Sequence, residues 1–349
     1  MYMKRVIILI NFYFLIFLSS NLSAQIRDIG KFMAGGVEDG EKLLTAYLTP
    51  WANGLGTALS GGWYNTAKVH KLLGFDLTIT MNSAFIPKSD KTFNLDNLGL
   101  QGNYSDNVAP TAAGKSKVGP QISYFNGLVS YNTPKGTGLG IVPAPMIQAG
   151  IGLIKGTEIN FRYMPSPELG SYGSFGLWGL GIKHDILQWL PIVDKVPFLN
   201  VAIQGGYTKL NYGKDIKVTP GDIQADDNTS NIAWDDQKLS LDISSFTVNL
   251  LFSVNLPVIC VYGGVGIANS KTELALKGTY PVPDINGNVT NESVKKDPVK
   301  IKIENYAGSP TKPRLNGGIR FKFAVVTFHV DYTYAYYSNL TMGLGINFR

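Results

Sequence analysis

The sequence has little cysteine, little charge and, beyond its first residues, no long apolar run. Cys260 is the one cysteine among 349 residues, which excludes an internal disulfide framework and any metal site built from several cysteines. Charged residues make up 16% of the chain, against roughly 25% in ordinary soluble domains. After Leu18 no apolar run approaches the roughly 20 residues of a membrane-spanning helix. Such a chain can still bury its backbone in lipid as a closed β-barrel.

The basic residues are not clustered either. The formal net charge is +6, and no run of lysine and arginine is interleaved with aromatic residues. We therefore expect no nucleic-acid partner. Glycine, with 39 residues, and tyrosine and phenylalanine, with 18 and 17, are plentiful, as tight turns and aromatic girdles at a membrane interface require.

A secretory signal is predicted at the N-terminus. Lys4 and Arg5 form a short basic region, residues 6–18 are almost all apolar, and a small polar segment runs to Ala24. The apolar run of roughly 13 residues is too short for a spanning helix, which favours cleavage after Ala24 over an uncleaved anchor. We expect residues 1–24 to be a signal peptide. The absence of a cysteine near the cleavage point excludes a lipoprotein.

The C-terminal segment carries the strongest signal for the fold. It alternates without interruption between large apolar side chains and small neutral ones, the large ones being Leu340, Met342, Leu344, Ile346 and Phe348. A period of two means a strand whose two faces meet different surroundings. With an aromatic residue next to last, the segment resembles the C-terminal signal by which bacterial outer-membrane barrels are recognised by their assembly machinery, a partner that we expect here.

The same alternation recurs along the chain. It is found at 75–82, 147–153, 159–163, 199–204, 246–255, 259–267, 315–323 and 326–336, and the glycine-rich segment 173–182 is also strand-like. With the C-terminal strand these come to about ten, and the poorly patterned stretch 83–146 is long enough to hide one or two more hairpins. The predicted fold is therefore all-β: a transmembrane antiparallel β-barrel of about 12–14 strands with a short helical N-terminal plug.

Turns and loops alternate as a barrel requires. If the C-terminus lies in the periplasm, the tight turns near Ala324, Pro257 and Gly156 are periplasmic, and the long polar stretches 212–236 and 270–312 lie outside. The connection at 184–197 is longer than expected on the periplasmic side and is interpreted as a short amphipathic helix. We predict a monomer in the bacterial cell outer membrane, in contact with outer-membrane lipids.

The residues before the first strand are predicted to form two short helices. Residues 38–48 show helical spacing with acidic residues at the start, favourable to the helix dipole. Pro50 is expected to end this helix, and residues 51–59 to add a turn or two. A plug in the lumen is favoured over a periplasmic segment because six side chains need an apolar cover: Leu43, Leu44, Tyr47, Leu48, Trp51 and Leu55. We assign residues 25–67 to the plug and residues 68–349 to the barrel.

A helical segment before a barrel of this size resembles the FadL-type outer-membrane transporters of hydrophobic compounds. Residues 49–53, Thr-Pro-Trp-Ala-Asn, are similar in part to the Asn-Pro-Ala-type motif of that family's N-terminal hatch. Segments 61–75 and 181–186 also resemble an uncharacterised family of outer-membrane proteins. The first resemblance implies passive transport or binding of small, fatty-acid-like molecules, gated by a displaceable plug and without a cofactor. The alternative is a structural or partner-binding barrel without transport activity.

Five side chains on the predicted lumen face are the candidate ligand contacts: Arg162, Arg320, Lys322, His329 and Asp331. The three cations could meet a carboxylate headgroup, although pairing within the lumen is the simpler interpretation. His329 and Asp331 lie two residues apart on one face, as in a His–carboxylate pair that orients a general base. Because the sequence places no nucleophilic serine beside them, a polar lumen network is the preferred interpretation, and neither an enzyme nor a metal site is expected.

Two loop patterns have ordinary structural explanations. Six aspartates lie in or beside the stretch 215–236, but without the Asp-x-Asp-x-Asp-Gly spacing of a calcium loop, which favours a solvated loop. Four tyrosines lie near the outer end of a strand: Tyr332, Tyr334, Tyr336 and Tyr337. We expect them to anchor the protein at the membrane interface rather than to stack on a ligand.

Overall fold

The structure is a computed structural model that describes residues 29–165, 173–189, 198–304 and 312–348; the predicted signal peptide lies outside them. Within these residues ten antiparallel strands form the wall of a barrel. They are β1 (Phe75–Phe85), β2 (Ile141–Gly152), β3 (Thr157–Met164), β4 (Ser174–Asp185), β5 (Leu199–Asp215), β6 (Lys238–Asn255), β7 (Ile259–Lys277), β8 (Lys312–Phe323), β9 (Val326–Tyr334) and β10 (Ser338–Phe348).

Each wall strand pairs with its neighbours in sequence, and β1 also pairs with β10, which closes the sheet. At this seam Phe75 lies opposite Phe348, and Phe85 lies opposite Ser338. Closure removes the sheet edges that would otherwise leave backbone groups unpaired in lipid.

The prediction of 12–14 strands is wrong, because the described wall has ten. Between β1 and β2 the chain leaves the wall and forms only short pieces. They are the 3-10 turns Lys88–Lys91, Leu95–Leu98 and Phe125–Gly127 and the strands Thr92–Asn94, Asn103–Tyr104, Val108–Pro110, Gln121–Tyr124 and Val129–Asn132. Pieces this short cannot cross the hydrocarbon core, for which a tilted strand needs about 9–11 residues.

The short turns at 153–156, 256–258 and 324–325 all lie at one end of the barrel, together with the end of β10. We call this the short-turn end and the opposite one the long-loop end. Where a helix was predicted at 184–197, the described residues contain a 3-10 turn, Leu187–Trp189; residues 190–197 lie outside them.

The long-loop end carries the remaining small elements: the 3-10 turn Pro220–Ile223 and the strands Asp226–Asn228, Thr279–Tyr280, Asn288–Thr290, Lys295–Lys296 and Val299–Glu304. Asp226–Asn228 pairs with Asn288–Thr290, and Val299–Glu304 pairs with the outer part of β7. Two aspartates from the crowded acidic stretch accept hydrogen bonds from threonines: Asp222 from Thr219, and Asp236 from Thr279.

The exterior of the wall is apolar. Along β9, Val326 and Phe328 point outward and are each 43% exposed, whereas Thr327, His329 and Asp331 point inward and are almost fully buried. Apolar side chains facing out and polar ones facing in are the arrangement of a barrel surrounded by lipid. Among the described residues, no helix has both the length and the apolar character needed to cross a membrane.

Before the wall come a 3-10 turn, Gly30–Gly35, and one helix, α1 (Val37–Ser60). The prediction of two helices divided at Pro50 is wrong, since Pro50 lies inside α1. A proline within a helix removes one backbone hydrogen bond and displaces nearby carbonyls. One carbonyl in this part of the helix has a donor from outside it, because the amide of Ala112, in the loop at the barrel mouth, donates to the carbonyl of Tyr47 at 2.9 Å. Packing around both halves keeps the helix continuous.

Helix α1 enters the barrel from the long-loop end. The 3-10 turn before it touches the outer loops, where a Cβ on Gly30 would collide with Val218. Its last turn lies inside, where the carbonyl of Leu59 is hydrogen-bonded to Arg162 of β3. Residues 61–74, which we call the linker, continue to the short-turn end, where β1 begins. The predicted boundary between plug and barrel, at residues 67 and 68, falls within this linker.

Candidate functional site

The inside of the barrel has an apolar half and a polar half. Strand β6 shows the change directly, since Leu241 and Ile243 face inward near the long-loop end, and Thr247 and Asn249 face inward farther along. The same change occurs on β2 between Met146 and Gln148. We call the upper set the apolar collar: Val142, Ala144, Met146, Met164, Leu177, Leu210, Leu239, Leu241, Ile243, Leu274 and Leu276.

The apolar collar surrounds α1. Four of the predicted plug residues are at most 4% exposed and belong to the same apolar cluster as the collar: Leu43, Leu44, Tyr47 and Leu55. The other two, Leu48 and Trp51, are half-buried against that cluster. Phe32 packs edge-on against Tyr47, with ring centroids 5.9 Å apart, and against Tyr131 of the outer loops. Burial raises the pKa of Tyr131 well above its ordinary value.

The polar half begins where α1 ends. Arg162 donates to the carbonyls of Leu59 and Gly61 at 3.0 and 2.7 Å, and Arg314 donates to the carbonyl of Ser60 at 2.9 Å. The last carbonyls of a helix have no partner within it, and a cation there also meets the negative end of the helix dipole. Arg162 and Arg314, which we call the arginine clamp, therefore hold the end of α1 to β3 and β8.

Sequence reasoning selected Arg162 but missed Arg314. The signal was present, because Arg314, Asn316, Gly318 and Arg320 follow one another at intervals of two on the inward face of β8. Arg314 directly precedes residues 315–323, from which the alternation of that strand was predicted.

The linker places Trp63 in a recess formed by glycines. Cβ atoms built on Gly179, Gly181 and Gly206 would lie 3.3, 2.6 and 2.4 Å from atoms of the indole. The guanidinium carbon of Arg162 lies 3.5 Å from the centre of the same ring, a cation–π contact. The glycine content of β4, which the sequence did not explain, is thus required by the close approach of Trp63.

A charge network holds the lower part of the linker. His70 shares a hydrogen bond of 2.6 Å with Glu158, which also receives Lys183 at 3.0 Å, and Asn347 contacts the other ring nitrogen of His70 at 2.7 Å. Ligand atoms of His70, Asp76 and Glu158 lie within 4.8 Å of one another, as in a metal site. Since these hydrogen bonds and the Lys183 ammonium already use both His70 nitrogens and Glu158, the network joins the linker to the wall.

The predicted ligand contacts do not converge on one point. Arg162 lies on β3, whereas the other four lie on β8 and β9. Asp331 accepts hydrogen bonds from Tyr262 at 2.8 Å and from Asn316 at 2.7 Å. His329 stands opposite Arg320 in the strand register, and its two ring nitrogens have no hydrogen-bond partner among the described residues. His329 and Asp331 are therefore not joined by a hydrogen bond.

Lys322, the remaining predicted contact, lies near the short-turn end and donates to the side chain of Asn347 at 3.1 Å. Beside the last turn of α1, a void of about 20 Å³ is lined by Gly56, Ser60, Arg314 and Asn339. That volume holds roughly one water molecule. The lumen next to the helix end is therefore filled by protein.

Strand β2 carries two prolines at the height of the apolar collar. The described ladder between β2 and β3 runs from Gly152 to Gln148, opposite Arg162. Residues 141–147, the outer part of β2, pair with β1. Pro143 and Pro145 lie in this part and have no N–H to donate to a neighbouring strand. We call residues 141–147 the proline segment of β2.

A closed wall of antiparallel strands, an apolar exterior and a polar lower lumen together define an outer-membrane-type β-barrel. The chain belongs to a family of unknown function, DUF6588, which matches residues 3–348. The expectation of an uncharacterised family is confirmed at this level. None of the curated proteins matches the chain significantly.

Solved outer-membrane barrels are similar only in architecture. The translocator domain of the autotransporter NalP from Neisseria meningitidis is 13% identical, with 87% of this chain and 99% of that chain covered and a TM-score of 0.31. Ail of Yersinia pestis is 11% identical, with 79% of this chain and 99% of that chain covered and a TM-score of 0.27. The toluene transporter TbuX of Ralstonia pickettii is 10% identical, with 85% of this chain and 98% of that chain covered and a TM-score of 0.19. Likenesses this distant carry no argument about function.

Proposed function

We propose that this barrel passes or binds small hydrophobic molecules at the apolar collar, with α1 as the gate. The collar is the observation that carries the proposal. The lumen of a water-filled channel is polar throughout, whereas here the upper half is lined by leucine, isoleucine, valine and methionine. If α1 moved aside, this surface would meet water at a free-energy cost of roughly 25 cal/mol per Å². A hydrophobic molecule in the place of the helix avoids that cost.

The proline segment of β2 supports a sideways route. Its residues Val142, Ala144 and Met146 belong to the collar, so a molecule at the collar is next to a strand that lacks two N–H donors. A straight path to the short-turn end would instead break the arginine clamp and displace the linker. The resemblance to FadL-type transporters agrees with this cargo class.

The mechanism is passive and uses only the chain's own residues. Displacement of α1 exchanges one apolar occupant of the collar for another, without a cofactor. We do not propose Arg162 as a headgroup contact, because it already holds the end of the helix. The roles of Arg320, Lys322, His329 and Asp331 in ligand binding stay a prediction.

A disulfide between the helix and the wall tests the proposal. A Cβ on Gly54 would lie 3.3 Å from the Cβ of Val142, near the roughly 3.5–4.5 Å found in disulfides. In a Cys260→Ala background, Gly54→Cys with Val142→Cys should lose most of its uptake of a fluorescent long-chain carboxylate when oxidised. Uptake should return on reduction, and the two single-cysteine variants should be insensitive to oxidant. Equal uptake by the locked and unlocked forms would contradict the gate.

The alternative is a barrel that binds a partner without transport. It is favoured by the arginine clamp and the His70 network, which hold the helix end and the linker through buried polar contacts. Under this alternative neither the parent barrel nor the locked variant raises carboxylate uptake above that of cells lacking the protein. The same experiment therefore separates the two functions.

A further inference from the structure

A groove of about 720 Å³ lies outside the lumen, at the long-loop end above β1 and β2. Four lysines line it: Lys88, Lys91, Lys115 and Lys117. The acidic side chain among its lining residues is Asp106, which accepts a hydrogen bond from the amide of Val108. Within the described part of the chain, none of the four lysines forms an ion pair. We call this the lysine groove, and its excess of positive charge favours an anionic ligand.

The lower rim of the groove lies beside the outer ends of β1 and β9. Lys88 and Lys91 belong to the 3-10 turn that directly follows the outer end of β1. Between them, the carboxylate of Asp90 accepts hydrogen bonds from Tyr336 at 3.2 Å and from Tyr337 at 2.5 Å. Tyr336 is 53% exposed beyond the outer end of β9, where tyrosines mark the headgroup level. The first two lysines are therefore at the height of lipid headgroups.

The groove also offers apolar surface to its occupant. Val108 and Val118 both line it, and their side chains are 49% and 57% exposed. Leu139, next to the lining residue Gly138, is 41% exposed above the lipid-facing part of β2. A small inorganic anion would leave these side chains in water, whereas a lipid would cover them. Cations at headgroup height beside apolar side chains fit a ligand with both characters.

We propose that the lysine groove binds a phosphate-bearing lipid of the outer leaflet. Its phosphates lie on the four lysine ammonium groups, and its apolar part covers Val108 and Val118. Lysine binds phosphate as a point charge without demanding one geometry, so a headgroup with several phosphates is held by several lysines at once. This site is independent of the collar and of the proposed transport.

Native mass spectrometry of the full mature protein in detergent micelles tests the proposal. The probes are lipid A, a glucosamine lipid that carries phosphates, the same lipid without its phosphates, and inorganic phosphate alone. We expect the phosphorylated lipid to bind at least about tenfold more tightly than the dephosphorylated one, because each basic residue near an anionic lipid surface adds attraction. Changing Lys88, Lys91, Lys115 and Lys117 to glutamine should remove this preference.

A matched control changes four other exposed lysines of the same end to glutamine: Lys277, Lys295, Lys296 and Lys300. This control alters the net charge equally and should keep the preference, as should a variant with arginine at all four groove positions. Unchanged thermal unfolding of each variant shows that the wall is intact. The proposal is overturned if the glutamine variant of the groove retains the preference, if both lipids bind alike, or if inorganic phosphate binds as tightly as the lipid.

Discussion

The apolar collar and the polar lower lumen hold the same N-terminal segment by different means. Between α1 and the collar the contacts are apolar and non-directional, with Leu43 and Leu44 packed against the upper wall. Around the helix end and the linker they are directed hydrogen bonds, such as those from Arg162 and Arg314. Apolar contacts accept any occupant of suitable size, whereas buried hydrogen bonds demand one geometry. The collar is therefore the region that can exchange one apolar occupant for another, and the lower lumen is the region that holds the end of α1 and the linker in place.

Removal of the arginine clamp should have the largest effect on the stability of the protein. Arg162→Ala with Arg314→Ala leaves the carbonyls of Leu59, Ser60 and Gly61 without these donors. A buried orphan group costs about 1–3 kcal/mol, so we expect the largest stability loss of the series, measured by thermal unfolding in detergent. Arg162→Lys alone should lose less, since it retains a charge at the helix end. A double variant as stable as the parent would refute the role of the clamp.

A cavity in the collar should have the next largest effect. Leu44 is fully buried against the collar, whereas Leu48, one turn farther along α1, is half-buried. Leu44→Ala should lower the free energy of unfolding by about 2–5 kcal/mol, as expected for a buried leucine. Leu48→Ala on the same helix should lose clearly less. Equal losses in chemical denaturation would mean that the collar does not hold this helix.

The glycine recess provides a smaller and more selective test. A Cβ at Gly206 would lie 2.4 Å from the indole of Trp63, whereas a Cβ at the adjacent, outward-facing Gly205 meets nothing closer than 3.9 Å. Gly206→Ala should therefore cost about 1–3 kcal/mol through overpacking and alter the fluorescence of Trp63. Gly205→Ala should be nearly neutral. If the two variants have the same melting temperature, the recess does not select glycine.

The smallest effect is expected in the outer loops, which serve as a reference for both regions. Hydrogen bonds from the amide and hydroxyl of Thr279 lower the pKa of Asp236 from its ordinary value of 3.8. A lowered pKa means that this contribution is present above about pH 4 and is lost as the pH falls through the lowered value. The protection factor of the Thr279 amide against hydrogen exchange should fall as the pH drops below 4, and Asp236→Asn should weaken this pH dependence while the barrel stays folded. An unchanged acid response in that variant would exclude Asp236 as the cause.

Much of the wall could be predicted, and some of the lumen could not. Alternation correctly placed His329 and Asp331 inside and Phe328 outside, because a strand period of two assigns every residue to one of two faces. Alternation did not predict the partners of these side chains: Asp331 accepts a hydrogen bond from Tyr262, which lies on a strand distant in sequence. Helical spacing found α1 but ended it at Pro50, because helix propensity does not include the tertiary packing around both halves of the helix.

Local periodicity along the chain is enough to predict strands with an apolar face and a polar or small face, and a helical segment before them. Tertiary contacts were needed to show that the ten described strands close the wall, that Arg314 joins Arg162 at the helix end, and that Trp63 lies against three glycines. They also show that Lys88 and Lys117 share a groove. These features join residues that are distant in the chain, and their contacts depend on strand register and closure rather than on any local pattern.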